Sequence, residues 1–101
     1  MTNEEDLVPV IYSLYQNHPN PFNPVTTLRY DLPENSFVNI TIYDMIGRIV
    51  RNLVSTQQDA GVKSVQWDAT DSFGKPVSAG VYLYQIRAGE YMQTKKMVLL
   101  K

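Results

Sequence analysis

Alternation of apolar and polar positions runs through most of this chain, and no helical spacing competes with it. Val25 to Leu32 sets Leu28, Tyr30 and Leu32 against Thr27, Arg29 and Asp31, the period of two that a half-buried strand requires. Phe37 to Asp44 alternates again, with Val38, Ile40 and Ile42 opposite Asn39, Thr41 and Tyr43. Both predict strands. Arg48 to Val54 reads as the next strand, with Ile49 and Leu53 inward, and Ser55 to Ala60 as a polar loop able to hold one helical turn. Gly61 to Asp68 is a further strand in which Val65 and Trp67 share a face with Lys63. Ahead of these, Leu7 to Tyr15 is an extended segment whose Pro9 suits an edge. Near the C-terminus two β-favouring runs, Val81 to Ala88 and Met92 to Leu100, flank Gly89-Glu90, a hairpin joint in which glycine supplies a positive φ. Tyr82, Tyr84 and Ile86 face one way and Val81, Leu83 and Gln85 the other, which predicts a central strand covered on both sides.

The punctuation between these runs is dense in turn formers. In Asn17-His18-Pro19-Asn20-Pro21-Phe22-Asn23-Pro24 three prolines fix φ and push their predecessors out of the helical region, so the segment is a rigid wrapped loop. Phe22 is its expected anchor in the core. Pro33 to Ser36 and Asp44 to Gly47 are turns, and Ala69 to Ser78 is a long connection. Roughly seven strands with turn signals every 8 to 12 residues point to an all-β fold, an immunoglobulin-like antiparallel β-sandwich. Tyr82, near the start of the penultimate strand, is either a tyrosine corner bonded back to nearby backbone or an ordinary core tyrosine. Met97, Val98, Leu99 and Leu100 in succession imply that the C-terminal strand is docked in a core or reserved for a partner.

With 101 residues the chain has the length of one domain, and we divide it into a polar, acidic linker at 1–8 and the domain proper at 9–101. A net charge of −1 argues against a general nucleic-acid binder. Lysines on the last strand read as protection against edge-to-edge association, although an edge-strand dimer stays open. Without cysteine there is no disulfide or thiolate chemistry. The single histidine, His18, has neither a nucleophile nor a second histidine in a recognisable context. Asp68 to Gly74 has a faint calcium-loop look but lacks the ligand set of an EF-hand, and reads as a self-capped turn. We therefore expect no enzyme activity, no metal or cofactor and no small-molecule substrate. No segment approaches the length of a membrane-spanning helix, and no signal peptide precedes Asn3 to Asp6.

The stretches PVIYSLYQNHPNPFNPVTTLRYDLP, VNITIYDMIGRIVRNL, WDATDSFGKPVSAGVYLYQIRAGE and TKKMVLLK, taken in order from Pro9 to Lys101, resemble the C-terminal sorting domain, type A, of the type IX secretion system. That resemblance implies a signal domain that directs an attached N-terminal cargo protein through the secretion machinery, past the periplasm, to the outer-membrane surface or medium, with removal by a sortase-like peptidase. It implies recognition through Gly80, Tyr82, Gly89, Lys95, Lys96, Met97, Val98 and Lys101. The same region, chiefly WDATDSFGKPVSAGVYLY, is similar to the Ig-like domain of the flagellar hook-capping protein, which implies instead a structural or adhesive module. One way to read the C-terminal strand would be its addition to a receptor's sheet edge.

Overall fold

Period-two burial organises the strands of the computed structural model, which describes residues 8–100. They are β1 (Ser13–Leu14), β2 (Thr26–Leu32), β3 (Ser36–Tyr43), β4 (Ile49–Gln58), β5 (Gly61–Trp67), β6 (Gly80–Ala88) and β7 (Tyr91–Leu99). A three-stranded sheet ordered β1-β2-β5 faces a four-stranded sheet ordered β4-β3-β6-β7, and all strand pairs are antiparallel. The fold is the expected immunoglobulin-like sandwich. Apart from Val8, the expected linker at 1–8 lies outside the described residues.

The core is built from the positions that alternation assigns to it. Leu28, Tyr30 and Leu32 of β2 are buried, as are Val38, Ile40 and Ile42 of β3 and Tyr82, Tyr84 and Ile86 of β6. From β7 come Met97 and Leu99. Trp67 closes one end, with ring centroids 5.8 Å from Phe22 and 5.4 Å from Tyr82, separations at which tilted and edge-on aromatic pairs attract.

Four expectations are corrected. Ile49 does not point inward but pairs with Tyr43 on the outer face of the sheet and is 67% exposed, while Val54 fills the core. The phase is set by Val54, which pairs with the inward Ile40: Ile49 lies an odd number of residues away, and the register shifts between Ile40 and Thr41 and between Ile42 and Tyr43 each reverse the alternation and so cancel over that span. Leu53, opposite the first shift, is half-buried. Ser55 to Ala60 is not a loop: β4 runs to Gln58, with Ser55, Thr56, Gln57 and Gln58 laddered onto Asn39, Val38, Phe37 and Ser36. An edge strand needs backbone pairing on one side only, so polar side chains do not prevent it. Within Leu7 to Tyr15 only Ser13–Leu14 forms a strand, and Leu7 lies outside the described residues. The outer face of β6 is half-buried rather than covered, because among the described residues no layer packs over Val81, Leu83 and Gln85.

Candidate functional site

β7 forms one edge of the four-stranded sheet, and its register with β6 organises the candidate residues. Gly80 pairs with Leu99, Val81 with Val98, Tyr82 with Met97 and Leu83 with Lys96. Gly80, Tyr82, Met97 and Val98 thus gather at one end of the hairpin. Tyr82 is a tyrosine corner: its hydroxyl donates to the Ser78 carbonyl at 2.6 Å, fixing the loop that feeds β6. Gly80 leads in at φ 150°, a conformation that disfavours other residues. Gly89 sits at the opposite end, in the two-residue turn between Ala88 and Tyr91, at φ 59°. A Cβ there would lie 3.1 Å from the Tyr12 hydroxyl, so the positive φ favours glycine and any side chain would crowd Tyr12. The neighbouring lysines are separated by the pleat. Lys95 is half-buried on the side of Met97 and Leu99, and Lys96 is exposed on the other face beside Val98. Lys101 lies outside the described residues.

The outer edge of β7 is held by the proline-rich loop, a contact that periodicity does not predict. Phe22 donates its N–H to the Val98 carbonyl at 3.0 Å and accepts from Leu100 N–H at 2.8 Å, a parallel bridge of one residue. Asn20 Oδ1 accepts the Val98 N–H at 3.0 Å, and Gln16 Nε2 donates to the Lys96 carbonyl at 2.8 Å. Phe22, 2% exposed, is the anchor expected of it. Edge groups that would otherwise invite another strand are therefore satisfied internally from Lys96 to Leu100. Among the described residues, no such bond reaches Met92 or Thr94.

The loop is itself fixed from below by buried polar groups. Asn17 N–H donates to the Tyr84 hydroxyl at 2.8 Å, and that hydroxyl donates to the Tyr15 carbonyl at 2.8 Å. Asn17 Nδ2 donates to Thr26 Oγ1 at 3.0 Å and to the Pro19 carbonyl at 3.2 Å. Burial pushes the Tyr84 hydroxyl up to about 12, against the opposing bond from Asn17. Asn17, Asn20, Thr26 and Tyr84 are thus positioning residues missed from the sequence. Their only trace there is the repetition of Asn-Pro.

Elsewhere the carboxylates serve turns. Asp68 Oδ1 accepts from the Thr70 hydroxyl and N–H, and Asp71 Oδ1 from Phe73 and Lys75 N–H. The Thr70 hydroxyl bond is the main cause holding Asp68 below its ordinary value, and the Lys75 N–H bond is that for Asp71. This is the self-capped turn favoured for Asp68 to Gly74. Among the described residues no three metal-ligating side chains gather.

Comparison with known proteins adds a family and a fold. The family model of the FlgD Ig-like domain matches residues 24–91. No curated protein sequence matches the chain. Among solved structures, dimeric latent PorU from Porphyromonas gingivalis superposes with a TM-score of 0.72 at 23% identity, over 93% of this chain and 10% of that one. PorZ, an essential surface component of the type-IX secretion system of the same organism, gives 0.58 at 19% identity, over 97% of this chain and 12% of PorZ. FlgD from P. aeruginosa gives 0.58 at 28% identity, over 73% of this chain and 57% of FlgD. The chain thus spans about a tenth of the two Porphyromonas proteins. At their identities the likeness is one of fold.

Proposed function

This chain belongs to the FlgD Ig-like domain family, and on that premise we propose that it is a non-enzymatic sorting module. It directs a covalently continuous N-terminal cargo protein through a type IX secretion system, across the outer membrane and to the cell surface or medium. Its partners are the secretion machinery and a sortase-like peptidase. One observation carries this reading. The two stretches most telling in the sorting-domain resemblance, the turn Asn20-Pro21-Phe22-Asn23-Pro24 and the C-terminal run from Lys95 to Lys101, interlock through Asn20, Phe22, Val98 and Leu100, and apart from Pro24 they lie outside the 24–91 family match. Beyond the matched residues β7 is a clamped strand that displays Lys96 and Val98 on one face.

Met97 and Leu99 are core residues, so removing the last strand would unfold the domain as well as delete a signal. Point substitutions avoid that confusion. A periplasm-targeted reporter fused to residues 7–101 is expected to reach the surface or medium of a bacterium with a working type IX system. The same fusion with Lys95→Glu and Lys96→Glu, folded by circular dichroism, is expected to remain in the periplasm. Retention of the unsubstituted, folded fusion would instead favour a structural or adhesive Ig-like module. The family match itself supports that second reading.

A further inference from the structure

The outer face of the four-stranded sheet carries a groove of about 530 Å³ over its two central strands, lined by Phe37, Asn39, Thr41 and Tyr43 of β3 and Gln85 and Arg87 of β6. We propose that this groove binds a short oligosaccharide bearing an acidic group, a site independent of the sorting reading. Three features carry the inference. First, β3 and β6 are paired on both sides, so their backbone is consumed by the sheet and recognition here must come from side chains.

Second, those side chains are amides and hydroxyls held in fixed orientation. Asn39 Oδ1 accepts from the Thr41 hydroxyl at 2.8 Å and from Asn52 Nδ2 at 3.1 Å, which leaves the Asn39 Nδ2 donors for a ligand. Gln85 Nε2 donates to Thr94 Oγ1 at 3.0 Å, and Gln85 Oε1 accepts from Arg87 Nε at 3.4 Å. Rows of such groups suit the many hydroxyls of a sugar. Phe37, 54% exposed at one end of the groove, offers an apolar ring to a pyranose face.

Third, the charge of this sheet is one-sided. Its four strands carry Arg51, Arg87, Lys95 and Lys96 and no Asp or Glu, although the chain has a net charge of −1. Arg51 is engaged with Thr70, and Lys95 lies on the core-facing side. Arg87 and Lys96 therefore remain on the outer face. Among the described residues Arg87 has no carboxylate partner, and with Nε turned to Gln85 its Nη1 and Nη2 groups remain to take one in a forked pair.

The test is a titration of the whole ¹⁵N-labelled chain with tetragalacturonate, followed by amide shifts. We expect saturable shifts confined to the backbone of residues 37–43 and 83–89 and to the Asn39 and Gln85 side-chain amides. Arg87→Gln, whose lost charged bond is worth at least 1.4 kcal/mol, should weaken binding about tenfold, and Phe37→Ala should weaken it while leaving shifts elsewhere unchanged. Neutral maltotetraose should bind about tenfold more weakly than the uronate. The proposal is overturned if no shifts appear at millimolar tetragalacturonate, if they map to another surface, or if tetraglutamate produces the same shifts with equal affinity. That last outcome would assign the face to acidic peptides.

Discussion

Tyr84 does two tasks at one atom. Its ring is fully buried in the core, and its hydroxyl joins the Asn17 N–H to the Tyr15 carbonyl. Tyr84→Phe keeps the ring and leaves the buried Asn17 N–H without an acceptor, a loss of about 1–3 kcal/mol that urea unfolding at pH 8 should register. Burial raises this hydroxyl in the folded state from 10.0 to about 12. A raised value contributes stability that is complete below the unfolded pKa and is lost as pH climbs through the folded one. The native chain should therefore weaken between pH 10 and about 12, and Tyr84→Phe should weaken less over that window. Parallel curves for the two proteins would show that Tyr84 does not control the alkaline limb.

At the scale of elements, β7 and the proline-rich loop stabilise each other. The strand supplies edge groups to Phe22, Asn20 and Gln16, and the loop supplies an aromatic side chain to the core beneath. Phe22→Ala removes both the ring and its pairing geometry and is expected to cost about 3–5 kcal/mol. Asn20→Ala removes only the bond to the Val98 N–H, about 1 kcal/mol. Hydrogen exchange separates the two effects. Asn20→Ala should accelerate exchange at Val98 alone, whereas Phe22→Ala should accelerate it at Val98 and Leu100 together. Protection of both amides unchanged from the parent chain in Phe22→Ala would mean that the loop does not close this edge.

Across the whole molecule, β7 is a structural member before it is a signal. A chain ending at Tyr91 loses Met97 and Leu99 from the core, at about 2–5 kcal/mol for each buried side chain. It also bares the outer edge of β6 along the full ladder. Set against a total stability of about 5–15 kcal/mol, that loss is expected to leave the truncated chain unfolded, with collapsed amide dispersion and no cooperative urea transition. A folded truncated chain would mean that the β6 edge tolerates exposure, and that β7 can be released to a partner strand.

The two-residue period in β2, β3 and β6 determined which side chains are buried, because each of these strands buries one face against the opposing sheet. The residues of the Gly89-Glu90 turn determined the C-terminal hairpin and its register, since a positive φ there admits little but glycine. The tertiary structure decided what no local pattern encodes. Pairing of Val54 with the inward Ile40 set the phase of β4 and left Ile49 outward, and the polar second half of β4 became a strand because β3 offered an unpaired edge. The clamp on β7 joins Asn20 to Val98 and Gln16 to Lys96, contacts 78 and 80 residues apart in sequence. The pleat sent Lys95 and Lys96 to opposite faces, and sheet order put Asn39, Gln85 and Arg87 in one groove. Each depends on which strands become neighbours, and that is a property of the packed sandwich rather than of any segment.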